Sequence, residues 1–394
     1  MEAVTAPPSQ IVIAGAGYAG LHIALRLPLR ATLVDEHPYH QVITELPRVA
    51  TGTRAADAVR LPVERLLGEQ VSFVQARLTG FDLTAQRLLT TAGELPYTRL
   101  VLALGSRPND FAIPGLAEHT IPLYSVDDAE RVWRAAQEAV EMAAEERDVE
   151  QRRRLLTAVV GGGGATGVEL AGELAEALPE LARDRGLPSE LPHVVLLDAG
   201  PSILAGSSPG LVERARHILD QLGVEVRTGA RITEANAGGL RLATGQVVQG
   251  GLFVWAGGVK APEVVASSGL PTGHNGRLKV DQYLRVLDHP TIYAAGDVAS
   301  AVDPRSGHAL PPLAQIALDE GETVAHNLEA EAQGRPLRPL ALHAKGIVVS
   351  VGPTRGVADV LGHQFGGRLA HALKDAIEWE YRASVQHLRG WSPV

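Results

Sequence analysis

Residues 11–35 read IVIAGAGYAGLHIALRLPLRATLVD; residues 155–178 read LLTAVVGGGGATGVELAGELAEAL, with HVVLLD at 193–198. In the first stretch the short apolar run over Gln10–Ala14 is of buried-strand type. It enters a turn carrying Gly15, Gly17 and Gly20, after which LHIALRLPL reads as a helix broken near Pro28. ATLVDEH then reads as a second buried strand ending in Asp35 and Glu36. The later stretch repeats that order. A strand runs into Gly162, Gly164 and Gly167, a helix carries Val168, Leu170, Ala171 and Leu174, and a further strand ends at Asp198. One glycine pattern of this kind is weak evidence. Two of them, each set between strand and helix with an acid closing the next strand, predict a repeat of a whole βαβ dinucleotide unit.

Each glycine has a separate physical task. The first makes the tight turn, the second lets backbone approach a pyrophosphate, and the third lets helix pack on strand. Free N–H groups and the helix dipole then favour the phosphate charge. Asp35 and Asp198 are placed to accept hydrogen bonds from ribose hydroxyls. The expectation is two bound nucleotides.

The chain has 394 residues, enough for two or three domains at roughly 150 residues each. Its formal charge of −9 gives no electrostatic reason to expect nucleic acid as a partner. It contains no cysteine, which removes disulfides, thiolate catalysis, thiolate metal sites and redox dithiols. No metal site is expected. The opening MEAVTAPPSQ lacks the basic end and apolar run of a secretory peptide. No apolar run approaches the ~18 residues of a spanning helix. The default expectation is a cytoplasmic protein.

Elsewhere, Ser125-Val-Asp-Asp opens a long helix with a capping-box pattern. The charged stretch Glu141–Arg154 reads as a solvated helix end and loop. LPPLAQIALDEGETVAHNL reads as a Pro-initiated helix, and GIVVSVG and GVADVLG as hairpin strands. An amphipathic helix closes the chain over about 367–389. Leu369, Leu373, Ile377, Tyr381, Val385 and Leu388 share one stripe, and Lys374, Asp375, Glu378, Arg382 and Arg389 lie opposite. Packing on its own domain or on a second subunit, as in a homodimer, and peripheral membrane contact both remain open for this helix.

Over about 1–365 the chain resembles the two-dinucleotide-domain flavoproteins, and within them the type II NADH dehydrogenases (NADH:quinone oxidoreductases). The resemblance is carried by GAGYAGLHIAL, YHQVITELPRVATGT, YTRLVLALGSRPNDFAIPGLAEH, VVGGGGATGVELAGEL, VWAGGVKAPEV, GRLKVDQYL, IYAAGDVA, LPPLAQIA and KGIVVSVG. It implies an FAD site made by Gly15, Gly17, Gly20, Asp35, Gly105, Gly296 and Asp297, with Gln315 beside it. It implies an NADH site at Gly162, Gly164, Gly167, Asp198 and Gly257. Glu169 matches an acid near the flavin on the nicotinamide side. Leu313, Ala314 and Gln315 match a helix start that faces the isoalloxazine and lines a quinone pocket, and Lys345 a Lys-Gly step at that site. Glu169, Gln315 and Lys345 are thus the catalytic candidates. A helix N-terminus at Leu313 suits the negative charge of reduced flavin. Carboxylate or amide groups at a buried flavin face suit relay of the two protons that quinone reduction consumes.

Two departures stand out. Asp319 occupies the place of a second Gln in the pattern A-Q-x-A-x-Q, and the tail is short for a membrane-seated member. The resulting expectation is an α/β fold with two Rossmann-like domains. Residues 1–120 and 280–340 bind FAD, 121–279 bind NADH, and 341–394 form a small C-terminal cap. The expected function is non-proton-pumping electron transfer from NADH through FAD to a quinone, in the cytoplasm or on the cytoplasmic membrane face. The alternatives are a soluble NAD(P)H:ferredoxin or rubredoxin reductase and a non-catalytic NADH-sensing flavoprotein.

Overall fold

The structure, a computed structural model, describes residues 10–305, 307–343 and 346–387. Two sheets organise it. The first has six strands in the order Arg285–Val286, His289–Ala294, Arg99–Leu102, Ile11–Ala14, Ala31–Asp35, Val71–Gln75. All are parallel except the short Arg285–Val286 strand. The second is wholly parallel, in the order Ile121–Pro122, Leu252–Trp255, Thr157–Gly161, His193–Leu197, Val224–Arg227. The chain leaves the first sheet after Arg99–Leu102, builds the second, and returns through Arg285–Val286 to His289–Ala294.

The apolar runs read as strands because both faces of each sheet are covered. Ile11 and Ile13 enter one core, while Val12 and Ala14 enter another with Val34, Leu100 and Leu102. In the second sheet Val160 and Leu196 join the same core as Ile13, and Val159 and Leu197 face an antiparallel sheet over 232–248. The helix-side faces of both sheets therefore form one continuous interior.

Local chemistry sets the helix limits. The Tyr18–Arg26 helix stops at Leu27, whose ψ of 118° is the extended setting that Pro28 imposes on its predecessor. Helix Val126–Glu145 carries the expected capping box between Ser125 and Asp128. The charged stretch after it resolves into a second short helix, Val149–Leu155, with no buried residue.

The C-terminal part is an antiparallel sheet of Ile347–Ser350, Gly356–Val360 and His363–Gly367, followed by helix Arg368–His387. The apolar stripe is only partly buried, at Tyr381 and Val385. Leu369 is 68% exposed, Ile377 44% and Trp379 71%, whereas Ala370, Lys374, Glu378, Tyr381 and Val385 face inward. Leu388 and Arg389 lie outside the described residues. The burial of Lys374 and Glu378 in place of Leu369 and Ile377 follows from the partners. The surface under the helix already holds buried carboxylates and an arginine, so charged side chains turned onto it gain ion pairs.

Candidate active site

The two glycine turns are duplicates in three dimensions. Gly15 and Gly162 have φ of +106° and +113°, and a Cβ on either would sit 2.2 Å or 2.4 Å from a carbonyl oxygen of the neighbouring strand end. A Cβ on Gly20 or Gly167 would lie 1.8 Å from the oxygen of Gly15 or Gly162, so helix and turn touch there. At Gly17 and Gly164 a Cβ would meet nothing within 4 Å. These last two are the N-caps of helices Tyr18–Arg26 and Ala165–Asp184, and no side chain caps either helix. Each turn therefore offers free amide donors to open space, the setting an anionic pyrophosphate requires.

The two acids also match. Asp35 accepts from the amides of Ala16 (2.7 Å) and His37 (2.8 Å), one on each oxygen. Asp198 accepts from the amides of Gly163 (2.6 Å) and Gly200 (2.7 Å) in the same way. A carboxylate oxygen has two acceptor directions, so each acid keeps capacity for ribose hydroxyls. Burial pushes the Asp35 carboxyl up, opposed by its two amide bonds.

A cleft of about 530 Å³ opens over the first turn, with Gly15, Gly17, Asp35, Gly105, Gly296 and Asp297 in its walls. Asp297 accepts from the Ser106 hydroxyl at 2.8 Å. Ala314 and Ala317 also line the cleft, bringing up the start of helix Ala314–Ala332, which again lacks a side-chain cap. The uncapped starts at Tyr18 and Ala314 thus both border the cleft, beside the capped start at Val126, whose Ser125 and Asp128 also line it. The residues fit an FAD-sized dinucleotide. Gly257 belongs to the second turn, where the Trp255 ring would lie 2.2 Å from a Cβ and Gly162 packs against its Cα. Among the described residues no group of three or more His, Asp or Glu is placed to hold a metal.

The catalytic candidates stand apart from the cleft lining. Glu169, 5% exposed, accepts from Lys374 Nζ at 3.0 Å and from the Ser350 amide at 3.2 Å. Lys374 also reaches Glu378 at 3.5 Å, and Arg48 lies 3.5 Å from Glu378 and 2.6 Å from Asp375. Burial pushes the carboxyls of Glu378 and Glu173 up to about 7. Sequence reasoning missed Lys374, placing it on a solvent face. The signal that could have found it is the spacing of Lys374 and Glu378, a bonded i,i+4 pair.

Tyr18 connects this cluster to the cleft, which it lines, by stacking on Tyr381 at 4.7 Å between centroids. Burial lowers the His40 pKa to about 4, so the ring is neutral. Its Nδ1–H then donates to the Ala16 carbonyl (2.9 Å), and Tyr381 O–H donates to Nε2 (2.9 Å). The cap helix is thereby hydrogen-bonded, through His40, to the first glycine turn.

Gln315 turns its amide onto the His343 carbonyl. Asp319 accepts from the His343 amide (2.9 Å) and faces its Nδ1 (3.0 Å). The residue that departs from the double-Gln pattern thus anchors the chain at His343. Lys345 lies outside the described residues.

Comparison with known proteins places these features in context. Residues 9–321 match the pyridine nucleotide-disulphide oxidoreductase family. The type II NADH:quinone oxidoreductase of Staphylococcus aureus (strain NCTC 8325 / PS 47) is 30% identical over 382 residues, 94% of each chain. That of Staphylococcus saprophyticus is 29% identical over 380 residues, again 94% of each. Among solved structures, NDH2 from Plasmodium falciparum in complex with NADH superposes with a TM-score of 0.88 at 18% identity, covering 97% of this chain and 96% of that one.

Proposed function

The chain belongs to the pyridine nucleotide-disulphide oxidoreductase family, with the type II NADH:quinone oxidoreductases, and from that premise we propose how its own residues carry the reaction. The activity is oxidation of NADH through FAD, with two electrons passed to a quinone and no proton pumping. When bound, FAD supplies the hydride acceptor and the electron carrier. The observation that carries the residue assignment is the duplicated turn with its two uncapped helix starts.

The cleft-bearing turn is the FAD half. The Tyr18 helix start receives the pyrophosphate, Asp35 the adenosine ribose, and Gly296 and Asp297 the remaining length. The uncapped start at Ala314 stabilises negative charge gained on reduction without reorganising. The turn at Gly162–Gly167, with Asp198 and Gly257, receives NADH. By sheet membership the first sheet and its returning strand form the FAD domain, the second sheet the NADH domain. Lys374 holds a proton buried against the Glu169 carboxylate near Tyr18, and quinol formation consumes two. Gln315 and Asp319 keep the 340s segment against the acceptor-side helix. No described helix is long and apolar enough to cross a membrane. The exposed face of Leu369, Ile377 and Trp379 supports peripheral contact with the membrane that dissolves the quinone.

Purified protein is expected to be yellow, with one non-covalent FAD per chain. It should oxidise NADH with a panel of quinones, faster with lipid vesicles present than without. A colourless protein that takes up no FAD, or a flavoprotein inert to every quinone, overturns the reading.

Asp198 gives a sharper expectation. Hydrogen bonds to a charged group contribute about 1.5–3 kcal/mol, on the order of ten- to a hundredfold in affinity. The same carboxylate repels a 2′-phosphate. NADH should therefore be preferred over NADPH, and Asp198→Ser should raise the KM for NADH and shrink the preference. Equal use of both cofactors by wild type would place Asp198 away from the ribose.

A further inference from the structure

One carboxyl group behind the flavin cleft has no task in the reaction as described. Glu320 lies on helix Ala314–Ala332 and is wholly buried. Its Oε2 accepts from the amide of Gly296, the residue beside Asp297 in the cleft wall. Its Oε1 is buried with no hydrogen-bond partner among the described residues, and no cation there lies within ion-pair distance of it. A carboxylate so placed would leave one oxygen's charge without a donor. A carboxylic acid carries no such charge.

The cation whose charge acts on Glu320 is Arg277, from the GRLKVDQYL motif. Its Nε–H donates to the Asp297 carbonyl at 2.9 Å and its Nη1–H to the Leu310 carbonyl at 2.8 Å. Among the described residues it has no carboxylate within ion-pair distance. It clamps the Gly296–Asp297 turn to the segment that runs into helix Ala314–Ala332. The charged groups around Glu320 are Arg277 and Asp297 on the turn side and Asp319 on its own helix. His22, on the helix packed alongside, is engaged by Glu322 at 3.4 Å.

We propose that Glu320 is a redox-linked proton site, a positioning residue that, in alkaline solution where it stands ionised beside oxidised flavin, takes up one proton when the bound flavin is reduced and releases it on reoxidation. The proposal rests on the FAD assignment above. The balance is simple. A hydride from NADH brings two electrons and one proton to the cofactor and leaves one negative charge there, and NAD⁺ departs. A proton from water joins the Glu320 carboxylate, so the buried region gains no net charge. Nothing else is oxidised or reduced. Glu320 is not among the residues that line the cleft. It acts through the Gly296 amide and the field at that turn, and Arg277 tunes it by lowering its proton affinity.

The test is the midpoint potential of the bound flavin from pH 6 to 9.5, measured on holoprotein by spectroelectrochemistry without quinone. Burial pushes the Glu320 carboxyl up to about 8, against the pull of the Gly296 amide and Arg277. Above that pH, wild type should take up one extra proton per two electrons. This is a tenfold shift of the reduction equilibrium per pH unit, about 30 mV for a two-electron couple. Glu320→Gln should lack the extra slope, and should lose a carboxylic-acid C=O band from the reduced-minus-oxidised infrared spectrum. Arg277→Gln, which keeps Glu320, should move the onset to higher pH. Identical slopes in wild type and Glu320→Gln overturn the proposal. So does an onset that Arg277→Gln leaves in place, should Glu320→Gln fail to fold. Protein that binds no FAD overturns the functional reading as well. Protein that binds FAD and is reduced by NADH, yet shows no extra slope, overturns only the role of Glu320.

Discussion

Gly164→Asp is expected to yield a folded, yellow protein that NADH reduces at least a hundredfold less efficiently. The position tolerates a side chain, because a Cβ there meets nothing within 4 Å and φ is −70°. Asp is also a preferred N-cap, so the Ala165–Asp184 helix should not suffer. What changes is the ligand space. The new carboxylate would take the free amides at the helix start and face the incoming pyrophosphate. Two like charges about 4 Å apart at an effective dielectric constant near 20 repel by about 4 kcal/mol, or nearly three powers of ten. Anaerobic stopped-flow reduction of the flavin over a range of NADH concentrations reads the effect directly. Gly17→Asp makes the same change in the first turn, and should cost FAD retention instead. A Gly164→Asp protein with wild-type NADH affinity would mean that this turn binds no dinucleotide.

Lys374→Met should destabilise the protein by about 3–5 kcal/mol at pH 8, because it strands buried carboxylates that now share its charge. Glu169 loses a 3.0 Å partner and Glu378 a 3.5 Å one. The defect should depend on pH, with a definite sign. Burial already raises the folded Glu378 carboxyl from 4.5 to about 7, so its contribution to stability is fully present below pH 4.5 and is lost as pH rises through 7. Removing the cation raises that proton affinity further. The difference between variant and wild type should therefore be small at pH 5 and largest at pH 8. Urea denaturation at the two pH values measures it. Adding Glu169→Gln to Lys374→Met should recover part of the loss, since the pair is then neutral on both sides. A deficit independent of pH would point to lost packing rather than lost charge.

Much of this protein is written in short stretches of its sequence. The residues from Ile11 to Asp35 and from Thr157 to Asp198 determine two βαβ units. Their decisive features are local: a positive φ at Gly15 and Gly162, and a helix pressed on its own turn at Gly20 and Gly167. Only glycine satisfies these, so the identity of the residue reports the geometry. The acids at the strand ends follow from the same local order. The ion cluster was not legible in this way. Whether Lys374 faces solvent or protein depends on Glu169, some two hundred residues earlier, and on Arg48 in the first domain. Helical periodicity sorts residues by polarity, and polarity sent Leu369 and Ile377 inward and Lys374 outward. The tertiary structure reverses that, because a buried face already carrying charge is better met by opposite charge than by leucine. Asp319 and Glu320 show the same limit. One anchors His343 and the other holds Gly296, and which does which depends on what the fold packs against each face of a single helix turn. Backbone geometry is a property of a few neighbouring residues, whereas the sign and burial of a charge belong to whatever the fold brings beside it.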